Sequence, residues 1–381
     1  MKQSNPIYAL ILIILFSVWI WVPFVYNALS KAPEKTVSVV ENRMLAESPK
    51  LDMSLLDPFP NAYEKYFKDH FPEREEMISF YSRFSFYYFF HKSPLPDEVV
   101  IGQDNWLFTS GKERKVYEGK FTLTQSQVSL IADSLHERAI YYKKKGIAFY
   151  ITIVPTKSEI YPEHLPSFYT RKKQGTITDL IINNLRKDTL LHLIELKDTL
   201  LANKKNGVIF YRTDNHWNSL GAYFVYRTIL NRMKKDFPRL NPLKQTDFTL
   251  IGWRFQGGNL AAQAGLWPYM KEMIFYPVIH HSQAREGKKS GYPPPLGFGY
   301  PEEYEQVRST PDTLLPNILI IRDSFFSPMI NLFSENFRRS VYIFDGWQYG
   351  INKEILENEK PDIVLLEIFE PYLSNILKLS L

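Results

Sequence analysis

Apolar residues recur along the chain with two different periods, and these periods divide it into strands and helices. Four short apolar runs, at residues 147–154, 318–321, 341–344 and 363–368, predict strands, and the first of them predicts a strand buried on both faces. A further run at residues 208–211 predicts a short strand. Helical spacing occupies the stretches between them, at residues 122–145, 176–202, 220–233, 328–337 and 353–359. This alternation predicts an α/β fold with a mostly parallel sheet and helices on both faces.

The first thirty residues follow a different pattern. Residues 7–26 are mostly apolar and uncharged, long enough to span a bilayer once as a helix. Trp19, Trp21 and Tyr26 lie towards the far end, where interfacial aromatic residues are common. This length favours an uncleaved anchor over a cleaved signal peptide. We therefore expect residues 1–30 to form a single-pass inner-membrane helix, with the rest of the chain in the periplasm or otherwise extracytoplasmic.

The remaining chain divides into a lead-in and a main domain. Residues 31–98 are expected to form a polar linker followed by two helices, at 59–71 and 74–90, with an aromatic stripe at 81–90 that predicts a buried seam. Residues 99–381 are expected to form the α/β domain. Within it, residues 236–316 are rich in Pro and Gly and predict a long irregular excursion over the active edge.

Composition excludes several classes of site. The chain has no cysteine, which rules out a nucleophilic thiol, a disulfide framework and a zinc ribbon. The net charge of +5 is small and its lysine clusters are scattered, which favours solvated faces over a nucleic-acid patch. His280 and His281 lack the spacing and carboxylate partners of a zinc site. We therefore expect no metal, no cofactor and no nucleic-acid partner.

Two separate segments carry the side chains of a candidate hydrolase or transferase site. Asp214 and His216 are two residues apart, so an extended backbone places both on one face, where the carboxylate can orient the imidazole. Ser324 ends a predicted strand and begins a helix, whose amino end can stabilise an oxyanion. The alternative is a capped turn with a structural histidine. If the strands ending at Tyr211 and Ile321 are neighbours, the three side chains meet in one crevice.

The sequence TDNHWNSLGA at residues 213–222 resembles the TD-x-HW-x-x-x-GA signature of a known family. This family comprises the SGNH-hydrolase-like acetyltransferases of the AlgX and AlgJ type, which O-acetylate alginate, and the related DHHW proteins. Further blocks resemble the family in the same order: residues 41–43, 63–74, 101–108 (IG-K-DGWLF), 154–157 (VP-x-K), 258–260 (GDL), 323–325 (DSF) and 361–364 (PD-x-V). The resemblance covers nearly the whole chain past the predicted anchor.

The resemblance implies roles for individual residues. Ser324 is then the nucleophile, His216 the general base and Asp214 its orienting partner. Five further residues are candidates for oxyanion or substrate contacts, of which Gly258 and Asn259 are candidate oxyanion donors. For Lys157 the alternatives are contact with the substrate or a place at the rim, and for Arg322 they are tightening the turn or contact with a substrate anion. For Trp217 they are a packing wall or a sugar platform.

The implied activity is transfer of acetyl groups to polysaccharide hydroxyls through an acyl-enzyme, beside a membrane-bound O-acyltransferase partner that supplies the acetyl donor. Two alternatives remain open. One is a carbohydrate or acyl esterase with the same triad. The other is a non-catalytic envelope protein that binds or assembles glycans, which would suit the aromatic content of 15%.

Overall fold

The computed structural model describes residues 6–29, 37–38, 43–51, 57–88, 98–121, 123–172, 175–296, 298–346, 349–350 and 352–378. Most of the predicted linker, at residues 30–36, 39–42 and 52–56, and the end of the second lead-in helix, at 89–90, lie outside these ranges.

The described helices are α1 (Pro6–Leu29), α2 (Pro58–Asp69), α3 (Arg74–Tyr88), α4 (Lys112–Tyr117), α5 (Gln125–Lys144), α6 (Lys157–Ile160), α7 (Ile177–Leu185), α8 (Lys197–Asn203), α9 (Ser219–Met233), α10 (Asn259–Gln263), α11 (Pro301–Tyr304), α12 (Ile330–Ser334) and α13 (Lys353–Glu359). The described strands are β1 (Val37–Ser38), β2 (Arg43–Met44), β3 (Val99–Ile101), β4 (Leu107–Thr109), β5 (Ala148–Val154), β6 (His192–Glu195), β7 (Phe248–Phe255), β8 (Glu272–Ile279), β9 (Arg285–Glu286), β10 (Glu305–Ser309), β11 (Asn317–Arg322), β12 (Arg339–Phe344) and β13 (Ile363–Phe369). A 3₁₀ turn, Ser324–Met329, precedes α12, and another, Glu370–Lys378, follows β13.

A seven-stranded sheet forms the centre of the molecule, in the order β6-β5-β13-β11-β12-β10-β9. The first five strands are parallel, and β10 and β9 add an antiparallel edge. The four strands predicted from apolar runs correspond to β5, β11, β12 and β13. The α/β prediction is therefore confirmed, although the sheet is mixed because of its antiparallel edge.

Both faces of the sheet are covered. In β11, Ile318 and Ile320 pack into one apolar cluster, which includes Ile229 of α9. Leu319 and Ile321 point the other way, into a second cluster, which includes Leu135 of α5. Because successive residues of a strand face opposite sides, this division explains why the strand is a continuous apolar run. The carboxyl ends of the parallel strands remain as the edge available for a site.

Two of the predicted elements are wrong. The helix expected at residues 176–202 is interrupted by β6, which pairs with β5 from Tyr150↔His192 to Ile153↔Glu195. The strand expected at 208–211 does not join the sheet, and its only described pairing is a single antiparallel bridge between Phe210 and Trp217. Both errors arise because pairing partners distant in sequence decide the outcome, and local periodicity does not contain that information.

The excursion expected to be irregular contains regular structure. Strands β7 and β8 pair along their whole length, from Phe248↔Ile279 to Phe255↔Glu272. The strands β9 and β10 belong to the central sheet itself. In β7 only Phe248 is buried, so the strand lacks the one-sided apolar alternation by which a sequence shows a strand.

The amino-terminal helices present apolar side chains to the outside. In α1, the side chains of residues 7–22 are all exposed. Among helices of the described residues, none has the length and apolar character required for crossing a membrane. In α3, Phe86 is buried, whereas Phe84, Tyr87 and Tyr88 are exposed, so the predicted buried seam is wrong for most of the stripe.

Candidate active site

Asp214 and His216 lie in a tight loop in front of α9, outside the sheet. The backbone N–H of Tyr211 donates to the carbonyl of His216 at 3.1 Å, which closes the loop. Asn218 then caps α9, its Oδ1 accepting from the N–H groups of Leu220 at 3.0 Å and Gly221 at 3.1 Å. The loop is therefore fixed directly before the first turn of a long buried helix.

A buried lysine fastens this loop to the central sheet. Lys157 follows β5 as the first residue of α6 and is 1% exposed. Its Nζ donates to the carbonyl oxygens of Leu107 at 2.7 Å, Arg212 at 3.0 Å and Asp214 at 2.9 Å. An ammonium group has three donors and a neutral amine has two, so this geometry fits the charged form. Lys157 thus holds the loop against the carboxyl end of β5, the edge where ligands bind in open α/β sheets.

Carboxylates surround the Lys157 ammonium group. Burial lowers the pKa of Lys157 to about 7, and neighbouring carboxylates, Asp214 first, oppose this shift. Glu272, at the start of β8, accepts hydrogen bonds from the N–H groups of Arg212 at 2.9 Å and Thr213 at 3.0 Å. Through these hydrogen bonds the hairpin β7–β8 holds the loop at a second point.

Of the three side chains singled out from the sequence, His216 lies within hydrogen-bonding distance of both Ser324 and Asp214. Nε2 of His216 is 2.7 Å from Oγ of Ser324, and Nδ1 is 2.6 Å from Oδ1 of Asp214. Oδ1 of Asp214 also accepts from the backbone N–H of His216 at 3.0 Å, and Oδ2 accepts from that of Asn259 at 2.9 Å. The arrangement has the contacts of a Ser-His-Asp triad.

Ser324 is presented by the turn between β11 and the 3₁₀ turn that follows. Oδ1 of Asp323 accepts the N–H of Phe325 at 2.9 Å, which caps this turn. The Phe325 ring lies 4.5 Å from the His216 ring and 5.0 Å from that of Trp217. Nε1 of Trp217 donates to the carbonyl of Phe325 at 2.9 Å. Aromatic packing thus joins the two segments that carry the triad.

Electrostatics favour an ion pair within the triad. Burial raises the pKa of Asp214, but the charge and hydrogen bonds of His216 bring it below its ordinary value. Burial lowers the pKa of His216, but Asp214 outweighs this and raises it above 6.5. Asp323 contributes in the same direction. The imidazolium form of His216 is therefore stabilised.

Comparison with known proteins identifies the family of this chain. Residues 99–289 of the 381 match the family model described as SGNH hydrolase-like domain, acetyltransferase AlgX. The chain belongs to this family. It is 25% identical over 221 residues to the probable alginate O-acetylase AlgJ of Pseudomonas aeruginosa, a match that covers 56% of this chain and 52% of that protein. The chain thus spans about half the length of the curated relatives it matches.

Solved structures show the same fold. The structure of Bacillus cereus PatB1 is similar with a TM-score of 0.53 and 16% identity, covering 73% of this chain and 97% of that one. A DHHW family protein from Eubacterium siraeum is similar with a TM-score of 0.51 and 16% identity, covering 74% of this chain and 95% of that one. At these identities the likeness concerns the fold alone.

In this member of the AlgX family, three of the side chains considered as substrate contacts are buried: Arg322, Lys157 and Trp217. Arg322 is 0% exposed, and its guanidinium donates to the carbonyl of Asp323 at 3.1 Å and Oγ of Ser327 at 3.0 Å. It therefore tightens the turn that carries Ser324 and does not reach a substrate anion. Lys157 is occupied by three carbonyl oxygens, and Trp217 is fully buried and forms a packing wall, so neither contacts a sugar.

The backbone N–H groups of Gly258 and Asn259 both donate to the loop that carries Asp214. The N–H of Gly258 donates to the hydroxyl of Thr213 at 2.8 Å, and that of Asn259 is taken by Asp214. A Cβ at position 258 would lie 2.5 Å from Cβ of Asp214, so only glycine allows this approach. In this geometry neither backbone group is available to an oxyanion. Nδ2 of Asn259 donates one N–H to Oδ1 of Asn215 at 2.9 Å and has a second, so Asn259 stays a candidate donor.

Several residues around the site were not found from the sequence. Glu367 is buried in β13, and its Oε2 accepts the N–H of Asp323, the residue before Ser324, at 3.1 Å. Burial and the adjacent Asp323 raise the pKa of Glu367 well above its ordinary value. The signal was available, since Glu367 is a charge inside an otherwise apolar strand. A second buried carboxyl group belongs to Glu113 of α4, which is 7% exposed. Because it lies in the polar sequence Lys112–Tyr117, the sequence gives no sign that it is buried.

No metal site accompanies these residues in the described part of the chain. There, the histidine and acidic side chains form no group of three or more that could hold a metal ion.

Proposed function

We propose that this protein is a polysaccharide O-acetyltransferase that works through an acyl-enzyme on Ser324. The observation that carries the proposal is the contact between Nε2 of His216 and Oγ of Ser324, at 2.7 Å, with Asp214 at 2.6 Å on the other ring nitrogen. Membership of the AlgX family and the similarity to proteins named probable alginate O-acetylase point to acetyl transfer.

In the first step, Oγ of Ser324 attacks the carbonyl carbon of an acetyl donor while His216 takes the hydroxyl proton. The resulting imidazolium is paired with Asp214 and gives this proton to the leaving oxygen as the bond between that oxygen and the carbonyl carbon breaks. Ser324 opens a helical turn, where the first backbone N–H groups lack intrahelical partners. Its own N–H is the candidate donor to the oxyanion.

In the second step, a sugar hydroxyl replaces the donor alcohol. His216 takes the hydroxyl proton, the sugar oxygen attacks the acetyl carbon, and the proton returns to Ser324 as the acetyl–serine bond breaks. Exposed aromatic rings near the loop, Trp253, Trp267, Tyr269 and Tyr276, are candidates for holding the acceptor and excluding water.

The remaining expectations form part of the same proposal. Residues 1–30 would anchor the protein in the inner membrane and place residues 99–381 in the periplasm or otherwise outside the cytoplasm. A membrane-bound O-acyltransferase partner would supply the acetyl group. An esterase that uses the same triad, and a non-catalytic glycan-binding or assembly protein, are the alternatives.

The test measures cleavage of an activated acetyl ester by variants of the triad. We expect Ser324→Ala and His216→Ala to lower kcat/KM by about 10³-fold or more, and Asp214→Ala to cause a smaller loss. Intact-mass analysis should detect one added acetyl group on the wild-type protein and none on Ser324→Ala. Circular dichroism of each variant checks that the fold is retained.

Exposed residues of the same type provide matched controls. Ser129→Ala and His281→Ala change exposed side chains, and both variants should keep wild-type activity. Product analysis with and without an oligosaccharide separates the transferase, which acetylates the sugar, from the esterase, which releases acetate alone. Unchanged activity and acetylation in folded Ser324→Ala would refute the triad.

A further inference from the structure

One side of α3 carries large apolar side chains that the described residues leave uncovered. They recur at helical spacing and are each between 45% and 71% exposed. These residues form the aromatic face of α3: Met77, Phe80, Tyr81, Phe84, Tyr87 and Tyr88. The residues that α3 buries are Ser82, Ser85 and Phe86. A surface helix of a soluble domain normally has the reverse arrangement, with its apolar side turned inward.

The contacts of α3 with the main domain fix this orientation. Phe86 packs in a buried cluster with Leu266. A Cβ at Gly265 would lie 2.4 Å from Oγ of Ser82, so the helix lies directly against this glycine. Nη1 of Arg83 donates to the hydroxyl of Tyr269 at 2.5 Å. The helix is thus docked by its small and polar side chains, and the aromatic face points away from the domain.

The amino-terminal segment keeps α3 close to α1. Oγ of Ser38, in β1, donates to Oε1 of Glu75 in the first turn of α3 at 3.2 Å. The chain from Leu29, the end of α1, to Ser38 spans about 32 Å at most, even when fully extended. Helix α1 exposes the apolar side chains of residues 7–22. A lipid bilayer that receives α1 therefore lies within reach of α3.

The chemistry of the aromatic face suits the boundary between lipid and water. Its phenylalanine and methionine side chains are wholly apolar, whereas its three tyrosines combine an apolar ring with a hydroxyl group. Tyrosine is enriched at the headgroup level of membranes, where the ring is in lipid and the hydroxyl stays hydrated. A helix with such a face lies in the plane of the membrane with its apolar side buried. The short connection to α1 favours lipid over a second copy of the chain.

We propose that the aromatic face of α3 lies on a lipid surface, in the headgroup region of the membrane that holds α1. The inference rests on the anchoring of residues 1–30 that forms part of the proposed function. It adds a second membrane contact, which belongs to the folded part of the chain.

This contact would set the position of the acyl-transfer site. A cavity of about 360 Å³ lies between α3 and the loop that carries Asp214, lined by Arg83 and Tyr87 on one side and by Arg212 and Thr213 on the other. The triad is therefore close to the helix that contacts lipid. A membrane-bound partner that supplies acetyl groups would meet the site at this surface.

The test measures the depth of single side chains in a membrane. Because the chain has no cysteine, a spin label can be attached at one chosen position. The full chain is reconstituted in vesicles of equal parts phosphatidylethanolamine and phosphatidylglycerol, and collisions of the label with oxygen and with a water-soluble nickel chelate give its depth. We expect labels on Tyr81→Cys and Tyr88→Cys to lie about 5–10 Å below the phosphate groups. Labels on Ser129→Cys and Glu137→Cys, on the exposed surface of α5, should remain in water.

A second set of variants tests whether the aromatic face itself causes this depth. Phe80→Gln and Phe84→Gln together should move the label on Tyr88→Cys out into water. Ile251→Gln and Val278→Gln remove two exposed apolar side chains from the hairpin β7–β8 and should leave that label in lipid. Circular dichroism of each labelled protein checks that the fold is retained.

Three results would overturn the inference. The first is a label on Tyr81→Cys and Tyr88→Cys that is as accessible to the nickel chelate as one on Glu137→Cys, which would leave the aromatic face to a protein partner. The second is shielding from both reagents together with dipolar coupling between labels, which would show that two copies pair through this face. The third is wild-type protein that does not float with the vesicles. The proposed catalytic function fails separately, if Ser324→Ala retains esterase activity at any label depth.

Discussion

At the scale of single residues, Lys157 determines where the loop that carries Asp214 and His216 lies. One of its three carbonyl acceptors belongs to β4 and the other two, of Arg212 and Asp214, to the loop, so one ammonium group joins these two segments to α6. Desolvating an ammonium group is costly, and these bonds and the surrounding carboxylates compensate for the loss of water. Removing the charge leaves three carbonyl groups without their donor.

We predict that Lys157→Met lowers the free energy of unfolding by about 3 kcal/mol or more and nearly abolishes esterase activity. Lys157→Arg should not rescue either property, because a planar guanidinium does not direct its donors to three oxygens around one point. Urea unfolding and acetyl-ester cleavage measure the two effects. The matched control is Lys143→Met, on the exposed surface of α5. A Lys157→Met protein as stable as this control would contradict the structural role.

The sequence identified these side chains better than it identified their roles. Asp214, His216 and Ser324 were predictable because their residue types and motifs restrict the chemistry, and because Ser324 follows the strand β11. The roles of Lys157 and Arg322 were not, because only burial separates a lysine or arginine that contacts substrate from one that ties down a loop. Burial depends on segments distant in sequence, and local pattern does not contain it.

At the scale of elements, the sequence likewise predicts what local pattern determines and misses what depends on distant segments. Strands β5, β11 and β13 are buried on both faces, so their apolar runs predict them from local sequence alone. The edge strand β6 depends on β5 for its pairing, and β7 pairs with β8 while exposing nearly all its side chains. Neither shows the one-sided alternation on which strand prediction depends.

The junction between the loop and α9 is an element whose contribution is measurable. Besides accepting two N–H groups, Asn218 donates from Nδ2 to the carbonyl of Val208 at 2.6 Å, and so ties both ends of the loop. We predict that Asn218→Ala lowers the free energy of unfolding by about 1 kcal/mol, the usual cost of losing an N-cap. Losing the cap should move His216, two residues away, only slightly. Esterase activity should therefore fall by less than about tenfold.

A cap-retaining variant separates the two contributions of Asn218. Asn218→Asp keeps the acceptor for α9 and loses the donor to Val208, so its stability should lie between those of the wild type and Asn218→Ala. Thermal unfolding and ester cleavage, measured side by side, check both. If Asn218→Ala unfolds at the wild-type temperature, the cap does not stabilise α9.

At the scale of the whole molecule, carboxyl groups buried at one edge of the sheet couple folding to pH. Glu370 follows β13, is 6% exposed, and accepts the N–H of Thr156 at 2.9 Å. Burial, and then the charge of Glu159, raise its pKa from 4.5 to about 7. Glu113 and Glu367 are raised in the same direction. The folded protein therefore holds protons that the unfolded chain has already released.

This difference fixes the sign of the pH dependence. Between pH 4.5 and 7 the unfolded state has lost the proton of Glu370 and the folded state retains it, so stability falls as the pH rises through that window. The limiting slope is about 1.4 kcal/mol per pH unit for one group. Glu370→Gln keeps an acceptor for Thr156 without a titratable proton, so its stability should fall less steeply by up to this amount. Urea unfolding at intervals across this window measures it, with Glu137→Gln as the control. Parallel curves of unfolding free energy against pH for the wild type and Glu370→Gln would contradict this prediction. They would mean that Glu370 is already ionised in the folded protein across this window.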